Sequence, residues 1–454
     1  MMDLGAIFKA YDIRGLCPGQ LDADIARRIG AAFAAHVTAT DDATRIVVGR
    51  DMRPTGTELV ASFTDGVLDQ GLDVVDIGLV STDLLYFASG HLDAPGAMFT
   101  ASHNPAEYNG LKLCGARAAP VGADTGLASI RRDAESGLAP AGPPGTRHHQ
   151  QLLDEFVTHV HSFIDVEALR PLKVVADTAN GMGGLVVPAV FADLPIEIHL
   201  LYPELDGTFP NHPADPIQPE NLVDLQRRVT EIGADVGLAF DGDADRVFLI
   251  DERAQLVSGS LTTALVAQGI LARQPGQTVL HNLICSKVVP EVIEECGGTP
   301  VRTRVGHSFI KSVMAETGAV FGGEHSGHYY FRDNWRADSG IIAALVVLER
   351  MSASASTLSN LLAPLRRYVA SGEINTQVDD PAATIETIAA TVATRWPNAS
   401  VDWLDGLTVD AGQWWFNLRP SNTEPLLRLN LEAGDEAMCE TRVAEVRALI
   451  EGPA

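Results

Sequence analysis

The chain has little cysteine, and the residues present form no metal-binding or disulfide pattern. Their number is odd, none form a CxxC, and they are spread over 454 residues: Cys17, Cys114, Cys285, Cys296 and Cys439. A disulfide framework and a cysteine-type zinc site are therefore not expected.

Long apolar runs are also missing. The longest, residues 341–348, is far shorter than the ~20 residues that span a bilayer. The first residues lack the basic segment followed by an apolar segment that marks a secretory signal. We therefore expect a cytoplasmic protein with no membrane partner.

Positive charge is scarce. The chain has 33 Lys and Arg against 59 Asp and Glu, a formal net charge of −26. So acidic a protein has no bulk positive field with which to track nucleic acid or anionic lipid, and no nucleic-acid partner is expected. Any local cluster of basic residues stands out against this background.

The overall composition is ordinary for a globular protein, with 46% hydrophobic and 20% charged residues. The length of the chain suggests three or four domains.

Short β-branched runs end in Gly- and Asp-rich turns, and helical patterns usually follow. This alternation predicts an α/β fold with polar turns at the carboxyl ends of buried strands. A Pro/Gly-rich linker at residues 137–145 and a pattern change near 367–373 help to predict domains at 1–150, 151–255, 256–370 and 371–454, the last a smaller α+β domain.

The first candidate motif is Thr100-Ala101-Ser102-His103-Asn104-Pro105. Because Asn-Pro breaks a strand, the Ser102 hydroxyl is expected at a strand end, where it could attack or carry a group. The segment is not a GxSxG elbow, so serine hydrolase chemistry is not indicated. Taken alone, an ordinary polar turn is the better interpretation.

The second motif, Asp241-Gly242-Asp243-Ala244-Asp245-Arg246, places three carboxylates around a tight turn. Hard oxygen ligands at this spacing suit Mg²⁺ or Ca²⁺. An EF-hand loop is the main rival, with Glu252 at its twelfth position, but Arg246 stands where that loop needs glycine and both flanks resemble strands. A solvated acidic turn is the remaining alternative.

The third motif, residues 322–328, contains Glu324, His325, Ser326 and His328 in a Gly-flexible loop. Its closely spaced acceptors and donors could bind vicinal sugar hydroxyls. It lacks HExxH spacing and is not a zincin.

The fourth motif runs from Arg419 through Ser421, Asn422 and Thr423 to Pro425, with Arg428 just beyond. A guanidinium, hydroxyls, an amide and backbone N–H groups together fit a phosphate dianion. A Ser/Asn/Pro surface turn is the alternative.

Considered together, the four motifs favour phosphoryl transfer within a phosphosugar. This reaction needs charge neutralisation and positioning more than covalent machinery.

With the segment Tyr11–Gly15, these motifs, in this order, resemble the α-D-phosphohexomutase superfamily, and within it the bacterial phosphomannomutase/phosphoglucomutase group. The resemblance covers residues 11–428. It implies three similar mixed α/β domains and a TBP-like α+β domain around a central cleft. It also implies reversible interconversion of hexose 1-phosphate and hexose 6-phosphate, for mannose and glucose, by a monomer or homodimer.

The resemblance assigns roles by position. It implies a phosphoserine at Ser102, and Mg²⁺ bound by Asp241, Asp243, Asp245 and the Ser102 phosphate, with Arg246 nearby. Glu324 and Ser326 would hold sugar hydroxyls, and the non-reacting phosphate would be held by Arg419, Ser421, Asn422 and Thr423. Residues that position phosphates or carry protons would be Tyr11, Arg14, His103, Lys112, His307 and His328, and Lys287 matches a further substrate-binding loop loosely.

A hexose 1,6-bisphosphate is implied as both intermediate and activator. His325 stands where phosphoglucosamine mutases typically carry Gln, which argues against that activity without excluding it. A Mg²⁺-dependent sugar phosphatase and a non-catalytic sugar-phosphate sensor are further alternatives. The phosphatase would use an Asp nucleophile without a second phosphate clamp, and the sensor would need neither Ser102 nor three aspartates.

Overall fold

A computed structural model describes residues 3–420 and 426–452, apart from the side chains of residues 307 and 308. Within these residues the strands form four sheets, one for each predicted domain. The expected α/β fold with four domains is confirmed. Segment 137–145 has no helix or strand and is almost entirely exposed, as predicted. It does not link two domains, because the strand after it, residues 147–149, still belongs to the first sheet.

The N-terminal sheet has the strand order β1-β5-β4-β2-β3-β7, with β6 paired to β5. Its elements are β1 (Ile13–Leu16), α1 (Ala23–Asp41), β2 (Arg45–Arg50), α2 (Gly56–Asp69), β3 (Asp73–Leu79), α3 (Thr82–His91), β4 (Gly96–Phe99), β5 (Tyr108–Gly115), β6 (Ala119–Pro120), α4 (Leu127–Ser136) and β7 (Arg147–His149).

The second sheet has the order β12-β11-β10-β8-β9. Its domain contains α5 (Leu153–His161), β8 (Leu172–Asp177), α6 (Gly183–Phe191), β9 (Ile196–Leu201), α7 (Val223–Ile232), β10 (Val236–Phe240), β11 (Val247–Asp251) and β12 (Leu256–Val257).

The third sheet has the order β14-β13-β15-β16. Its domain contains α8 (Gly259–Arg273), β13 (Thr278–Asn282), α9 (Val288–Glu295), β14 (Thr299–Thr303), α10 (His307–Thr317), β15 (Phe321–Gly323), β16 (Tyr329–Phe331), α11 (Gly340–Ser354) and α12 (Leu358–Leu362).

The C-terminal sheet is entirely antiparallel, in the order β17-β21-β20-β19-β18. Its domain contains β17 (Val369–Gln377), α13 (Pro381–Arg395), β18 (Ser400–Asp402), β19 (Leu407–Asp410), β20 (Trp414–Pro420), β21 (Leu426–Ala433) and α14 (Glu436–Glu451). β17 spans the boundary expected near residue 370.

The first three sheets share a four-strand core. In each, the first core strand is parallel to the second and the third, and the third pairs antiparallel with the fourth: β2, β3, β4 and β5; β8, β9, β10 and β11; β13, β14, β15 and β16. Each turn between the third and fourth core strands contains one of the first three motifs. Of the fourth motif, Arg419 lies on β20 and Arg428 lies on β21, whereas residues 421–425 lie outside the described residues.

In the N-terminal domain, α1 and α2 cross in close contact beside a core that includes Phe33, Phe63 and Phe99. Phe63 meets Phe99 edge to face, with ring centroids 5.3 Å apart. The helices approach closely because α2 carries a glycine, Gly66, where they cross. A Cβ atom at this position would lie 2.0 Å from the Arg27 carbonyl oxygen.

No single helix among residues 3–420 and 426–452 has the length and apolar composition needed to cross a membrane. Only α11 together with the helical segment 358–365, bent by 94°, meets that criterion, and it does so by length and composition alone.

Replacing Gly66 with alanine tests the helix crossing. We expect the free energy of unfolding to fall by about 1–3 kcal/mol, the usual cost of overpacking, although alanine is the better helix former. Differential scanning calorimetry would show this as a lower midpoint of unfolding. Gly56→Ala is the control, because its methyl group would lie 3.5 Å from Arg50 Cδ, an ordinary contact. An unchanged midpoint in Gly66→Ala would contradict the packing account.

Candidate active site

The Ser102 hydroxyl lies at the junction of the first and second domains. Its Oγ donates a hydrogen bond to Asp241 Oδ2 at 2.8 Å and lies 3.2 Å from His103 Nδ1. Ser102 follows β4 with φ of 49°, in the left-handed region, and its amide donates to Thr100 Oγ1 at 2.8 Å. The turn thus directs the hydroxyl into the neighbouring domain, toward the metal-binding candidates.

The three aspartates of the second motif are fully buried in the turn between β10 and β11. Both flanks are strands, as predicted, so the EF-hand alternative is wrong. Glu252 instead accepts hydrogen bonds from the amide and hydroxyl of Ser359. One oxygen from each of Asp241, Asp243 and Asp245 lies within 4.8 Å of the others.

Two cations offset part of this negative charge. Lys112 Nζ lies 2.7 Å from Asp243 Oδ2 and 2.5 Å from Asp245 Oδ2, and Arg246 Nε lies 2.9 Å from Asp241 Oδ2. Thr82 Oγ1 also donates to Asp243 Oδ2, at 2.6 Å. Three buried carboxylates therefore face two paired cations, which leaves an excess of one negative charge.

The pKa values reflect this excess. Burial raises the pKa of Asp241 to about 8, against the opposing charge of Arg246. Burial and the Asp243 carboxylate raise the pKa of Asp245. Burial also acts to raise the pKa of Asp243, but Lys112 and Thr82 more than offset it, and the pKa falls below its usual range. The same carboxylates overcome burial at Lys112 and hold its pKa well above the usual value.

The three aspartates of this cluster are suited to bind a divalent cation. Asp243 Oδ1 and Asp245 Oδ1 are buried and have no hydrogen-bond partner among the described residues. Buried carboxylate oxygens without partners are costly unless they are protonated or bind a metal. Clustered carboxylate oxygens are the ligands that Mg²⁺ prefers.

His103 is held uncharged beside Ser102. Burial, assisted by the charges of Arg246 and Arg14, lowers the pKa of His103 well below its usual value. A neutral imidazole at this position can exchange a hydrogen bond with the Ser102 hydroxyl without adding charge to the site.

The third motif reaches the acidic cluster from the third domain. His328 Nε2 lies 3.9 Å from Asp245 Oδ1, and its Nδ1 lies 3.0 Å from Ser326 Oγ. Glu324 is buried and accepts hydrogen bonds from Tyr330 Oη at 2.7 Å and Asn282 Nδ2 at 3.2 Å. Three domains therefore meet at the Asp241–Arg246 turn.

The first and fourth domains enclose a cleft of about 630 Å³ beside Ser102. Lining side chains include Tyr11, Arg14, His103, Arg419 and Arg428. Arg14 Nε pairs with Asp12 Oδ2 at 2.8 Å, and its Nη1 contacts Asn104 Oδ1 in the Ser102 turn. The cleft thus gathers cationic groups in an acidic protein, as an anion-binding site requires.

Arg419 and Arg428 face each other across β20 and β21 and share one carboxylate. Glu373 Oε2 lies 2.8 Å from Arg419 Nη2, and Glu373 Oε1 lies 3.5 Å from Arg428 Nη1. The Nε atoms of both arginines are buried and have no partner in the part of the chain that the structure describes. Two guanidinium groups that share one carboxylate carry a net positive charge, which favours an anion in the cleft.

Some predicted residues are not placed in the cleft. Ser421, Asn422 and Thr423 lie outside the described residues, as does the side chain of His307. Lys287 lies between the third and fourth domains, where its Nζ pairs with Asp410 Oδ1 at 2.6 Å and contacts the Gly412 carbonyl at 2.8 Å. A substrate contact by Lys287 remains a prediction.

Sequence reasoning missed three residues that shape the site. Thr82 anchors Asp243, and Glu373 joins the two arginines. Arg53 binds the backbone of the Ser102 turn and is buried. The sequence did offer a signal for Arg53, because this residue follows a strand end that is rich in polar residues. Thr82 and Glu373 are single residues outside any recognisable sequence motif, so the sequence offered no signal for them.

Comparisons with known proteins agree with this geometry. Four models of the phosphoglucomutase/phosphomannomutase family match successive parts of the chain: alpha/beta/alpha domain I at residues 5–138, domain II at 154–255, domain III at 258–368 and the C-terminal domain at 373–449.

Whole-chain relatives agree with the family models. A protein named "Phosphohexose mutases" from Xanthomonas campestris pv. campestris is 43% identical over 449 residues, covering 98% of this chain and 99% of its own. A "Phosphomannomutase" from Salmonella montevideo is 40% identical over 454 residues, with 98% of each chain covered. The crystal structure of a phosphoglucomutase/phosphomannomutase family protein from Burkholderia thailandensis superposes with a TM-score of 0.90 at 33% identity, covering 99% of this chain and 98% of that one.

Replacing Asp243 with asparagine tests the metal centre. Loss of one anionic ligand should weaken Mg²⁺ binding by at least about tenfold, the loss typical of even an outer-shell partner. Isothermal titration calorimetry with Mg²⁺ would measure it. Asp224→Asn is the control, since Asp224 accepts a hydrogen bond from Tyr202 outside the acidic cluster. Equal affinities for both variants and the wild type would contradict the assignment.

Proposed function

The chain belongs to the phosphoglucomutase/phosphomannomutase family, and we propose that it interconverts the 1- and 6-phosphates of mannose and of glucose. One observation carries the proposal. The Ser102 hydroxyl lies 2.8 Å from a carboxylate of the buried aspartate cluster, beside a cleft lined by Arg419 and Arg428. A hydroxyl that could carry a phosphoryl group, a carboxylate cluster that could hold a cation and two arginines that could bind an anion therefore lie near one another, which supports the proposal.

In the proposed cycle, Ser102 is phosphorylated in the resting enzyme. A free hydroxyl of the sugar monophosphate attacks the phosphorus, so that its O–P bond forms while the Oγ–P bond breaks. The resulting hexose 1,6-bisphosphate reorients by about a half-turn within the cleft. Its other phosphoryl group then returns to Ser102, and the isomeric monophosphate leaves. Added bisphosphate would act as an activator by phosphorylating any enzyme that has lost its phosphoryl group.

Asp241, Asp243 and Asp245, with an oxygen of the phosphorylated Ser102, would hold Mg²⁺. When bound, Mg²⁺ supplies charge neutralisation for the transferring group. Lys112 is suited to the same electrostatic task, because its raised pKa keeps it protonated at neutral pH. Arg246 holds Asp241 in place within the cluster.

His328 is the better candidate for the base that takes the sugar hydroxyl proton. Its Nδ1 is engaged by Ser326, whereas its Nε2 faces the acidic cluster at 3.9 Å. A general base must reach the proton that it removes, and an imidazole suits that task near neutral pH. Glu324 and Ser326 would orient the sugar hydroxyls beside it.

The non-reacting phosphate of the sugar would bind Arg419, Ser421, Asn422 and Thr423. Arg428 would contribute a second guanidinium, since it shares Glu373 with Arg419 and lines the same cleft. Planar guanidinium forks bind a dianion in either sugar orientation, because they contact the phosphate rather than a particular carbon.

Replacing Ser102 with alanine tests the carrier role. Turnover should fall to the background level, because no other group takes the phosphoryl group, while substrate still binds. A coupled assay with mannose 1-phosphate, glucose 1-phosphate and glucosamine 1-phosphate would measure turnover, and calorimetry would measure binding. Ser136→Ala, at an exposed helix end, is the control.

Near-normal turnover of Ser102→Ala would reject the carrier role. Release of inorganic phosphate instead of an isomer by the wild-type protein would favour the phosphatase alternative. Preferred turnover of glucosamine 1-phosphate would favour the phosphoglucosamine mutase alternative. Binding without turnover of any sugar would favour a sensor.

Replacing Arg428 with methionine tests the second guanidinium. Loss of a charged hydrogen bond worth roughly 1.5–3 kcal/mol should raise KM by about tenfold or more. We expect kcat to change little, because the contact forms equally in ground and transition states. Steady-state kinetics would measure both constants. Arg447→Met, which removes an exposed pair with Glu451, is the control; an unchanged KM in Arg428→Met would reject this contact.

A further inference from the structure

Arg53 is a charged residue in the interior that the proposed chemistry does not use. Its side chain is 0% exposed, and it follows β2 in the turn that leads to α2. A buried guanidinium is costly unless each N–H group finds a partner. The partners of Arg53 therefore show what the residue does.

The two Nη groups of Arg53 donate hydrogen bonds to backbone carbonyls in and next to the turn between β4 and β5. Nη2 donates to the carbonyl oxygens of Ser102 at 2.9 Å and Asn104 at 2.6 Å, and Nη1 donates to those of Pro105 at 2.7 Å and Tyr108 at 2.8 Å. Three carbonyls of this turn, and that of Tyr108 at the start of β5, thus converge on one side chain.

A carboxylate balances the charge. Asp51 accepts from Arg53 Nε at 3.2 Å and from its backbone amide at 2.9 Å. Asp51 is also fully buried. Because Asp51 engages Nε, the two Nη groups are directed at the carbonyls.

The bound turn holds Ser102 in an uncommon conformation. Ser102 has φ of 49°, a region that residues with a side chain occupy only when their surroundings enforce it. Its carbonyl oxygen is confined on one side by Arg53 and on the other by the backbone of Gly242, where a Cβ atom would lie 2.5 Å away. The Ser102 carbonyl is therefore held between Arg53 of the first domain and Gly242 of the second.

The second domain packs against the same side chain. The Phe209 ring lies 5.2 Å from the guanidinium carbon, and a Cβ atom at Gly207 would lie 2.6 Å from Arg53 Cα. Arg53 therefore contacts both the loop that presents the hydroxyl and the domain that supplies the aspartates.

We propose that Arg53 is a positioning residue for phosphoryl transfer: it fixes the Ser102 turn through four carbonyls so that Oγ faces the aspartate cluster. The inference rests on the proposed role of Ser102. Arg53 touches neither the cleft nor the acidic cluster directly, so its loss should slow transfer rather than weaken substrate binding. Lysine cannot replace it, because one ammonium lacks the planar fork that spans four acceptors.

Arg53→Lys and Arg53→Ala test the proposal, with Arg147→Ala as control. Arg147 pairs with Asp76 on the partly exposed β7 side of the same domain. Steady-state kinetics with glucose 1-phosphate would measure kcat and KM, and mass spectrometry would follow phosphorylation of Ser102 by glucose 1,6-bisphosphate. Circular dichroism would report whether each variant is folded.

We expect kcat of Arg53→Lys to fall by about a hundredfold, the effect of a misplacement near 1 Å, with KM within about threefold. Phosphorylation of Ser102 should slow in parallel. Methylguanidine, at concentrations that do not denature the protein, should restore part of the kcat of folded Arg53→Ala and none of that of Ser102→Ala. The control should resemble the wild type.

A kcat of Arg53→Lys within about threefold of the wild type would overturn the proposal. So would loss of fold in both Arg53 variants, or a folded Arg53→Ala that methylguanidine does not rescue, because either would assign the residue to stability alone. The proposed function fails separately: in that case the wild-type protein itself would show no isomerisation and no phosphorylation of Ser102.

Discussion

The candidate active site depends on the burial of Asp241, Asp243 and Asp245 where three domains meet. Lys112 and Arg246 offset only two of their charges, and two carboxylate oxygens lack partners among the described residues. A cluster of this kind is unstable with all its members ionised unless a cation joins it. The Ser102 hydroxyl donates a hydrogen bond to Asp241 of this cluster, so under the proposed function a divalent ion held there would lie beside the hydroxyl that carries the phosphoryl group.

The arrangement follows from repetition of one fold. In the first three domains, the turn between the third and fourth core strands presents a hydroxyl, a carboxylate cluster or a sugar-binding candidate, and the β20–β21 hairpin presents arginines. The first three turns meet at the aspartate cluster, and Arg419 and Arg428 line the cleft beside the Ser102 turn, so each domain contributes one type of group. An activity that needs all four therefore needs all four domains.

The sequence predicted the strands around Asp241–Arg246 and the α/β class because both rest on local patterns, namely apolar runs that end in polar turns. The Ser102 turn taken alone is better interpreted as an ordinary polar turn, and Ser102 stands out only when its motif is combined with the other three and with the resemblance that they carry. Thr82 and Glu373 could not be identified from the sequence, since their partners lie 161 and 46 residues away. For Arg53 the polar strand end was visible, but its contact with Ser102, 49 residues away, was not. Lys287 rests on a loose local match; the structure pairs it with Asp410 of the fourth domain, and its substrate contact stays a prediction.

The most direct test of this account is a crystal structure of the protein soaked in Mn²⁺, a substitute for Mg²⁺ whose anomalous scattering locates it. The account predicts one strong anomalous peak bonded to oxygens of Asp241, Asp243 and Asp245 and adjacent to Ser102 Oγ. A map with no peak among these aspartates, or with the ion bound away from Ser102, would contradict it.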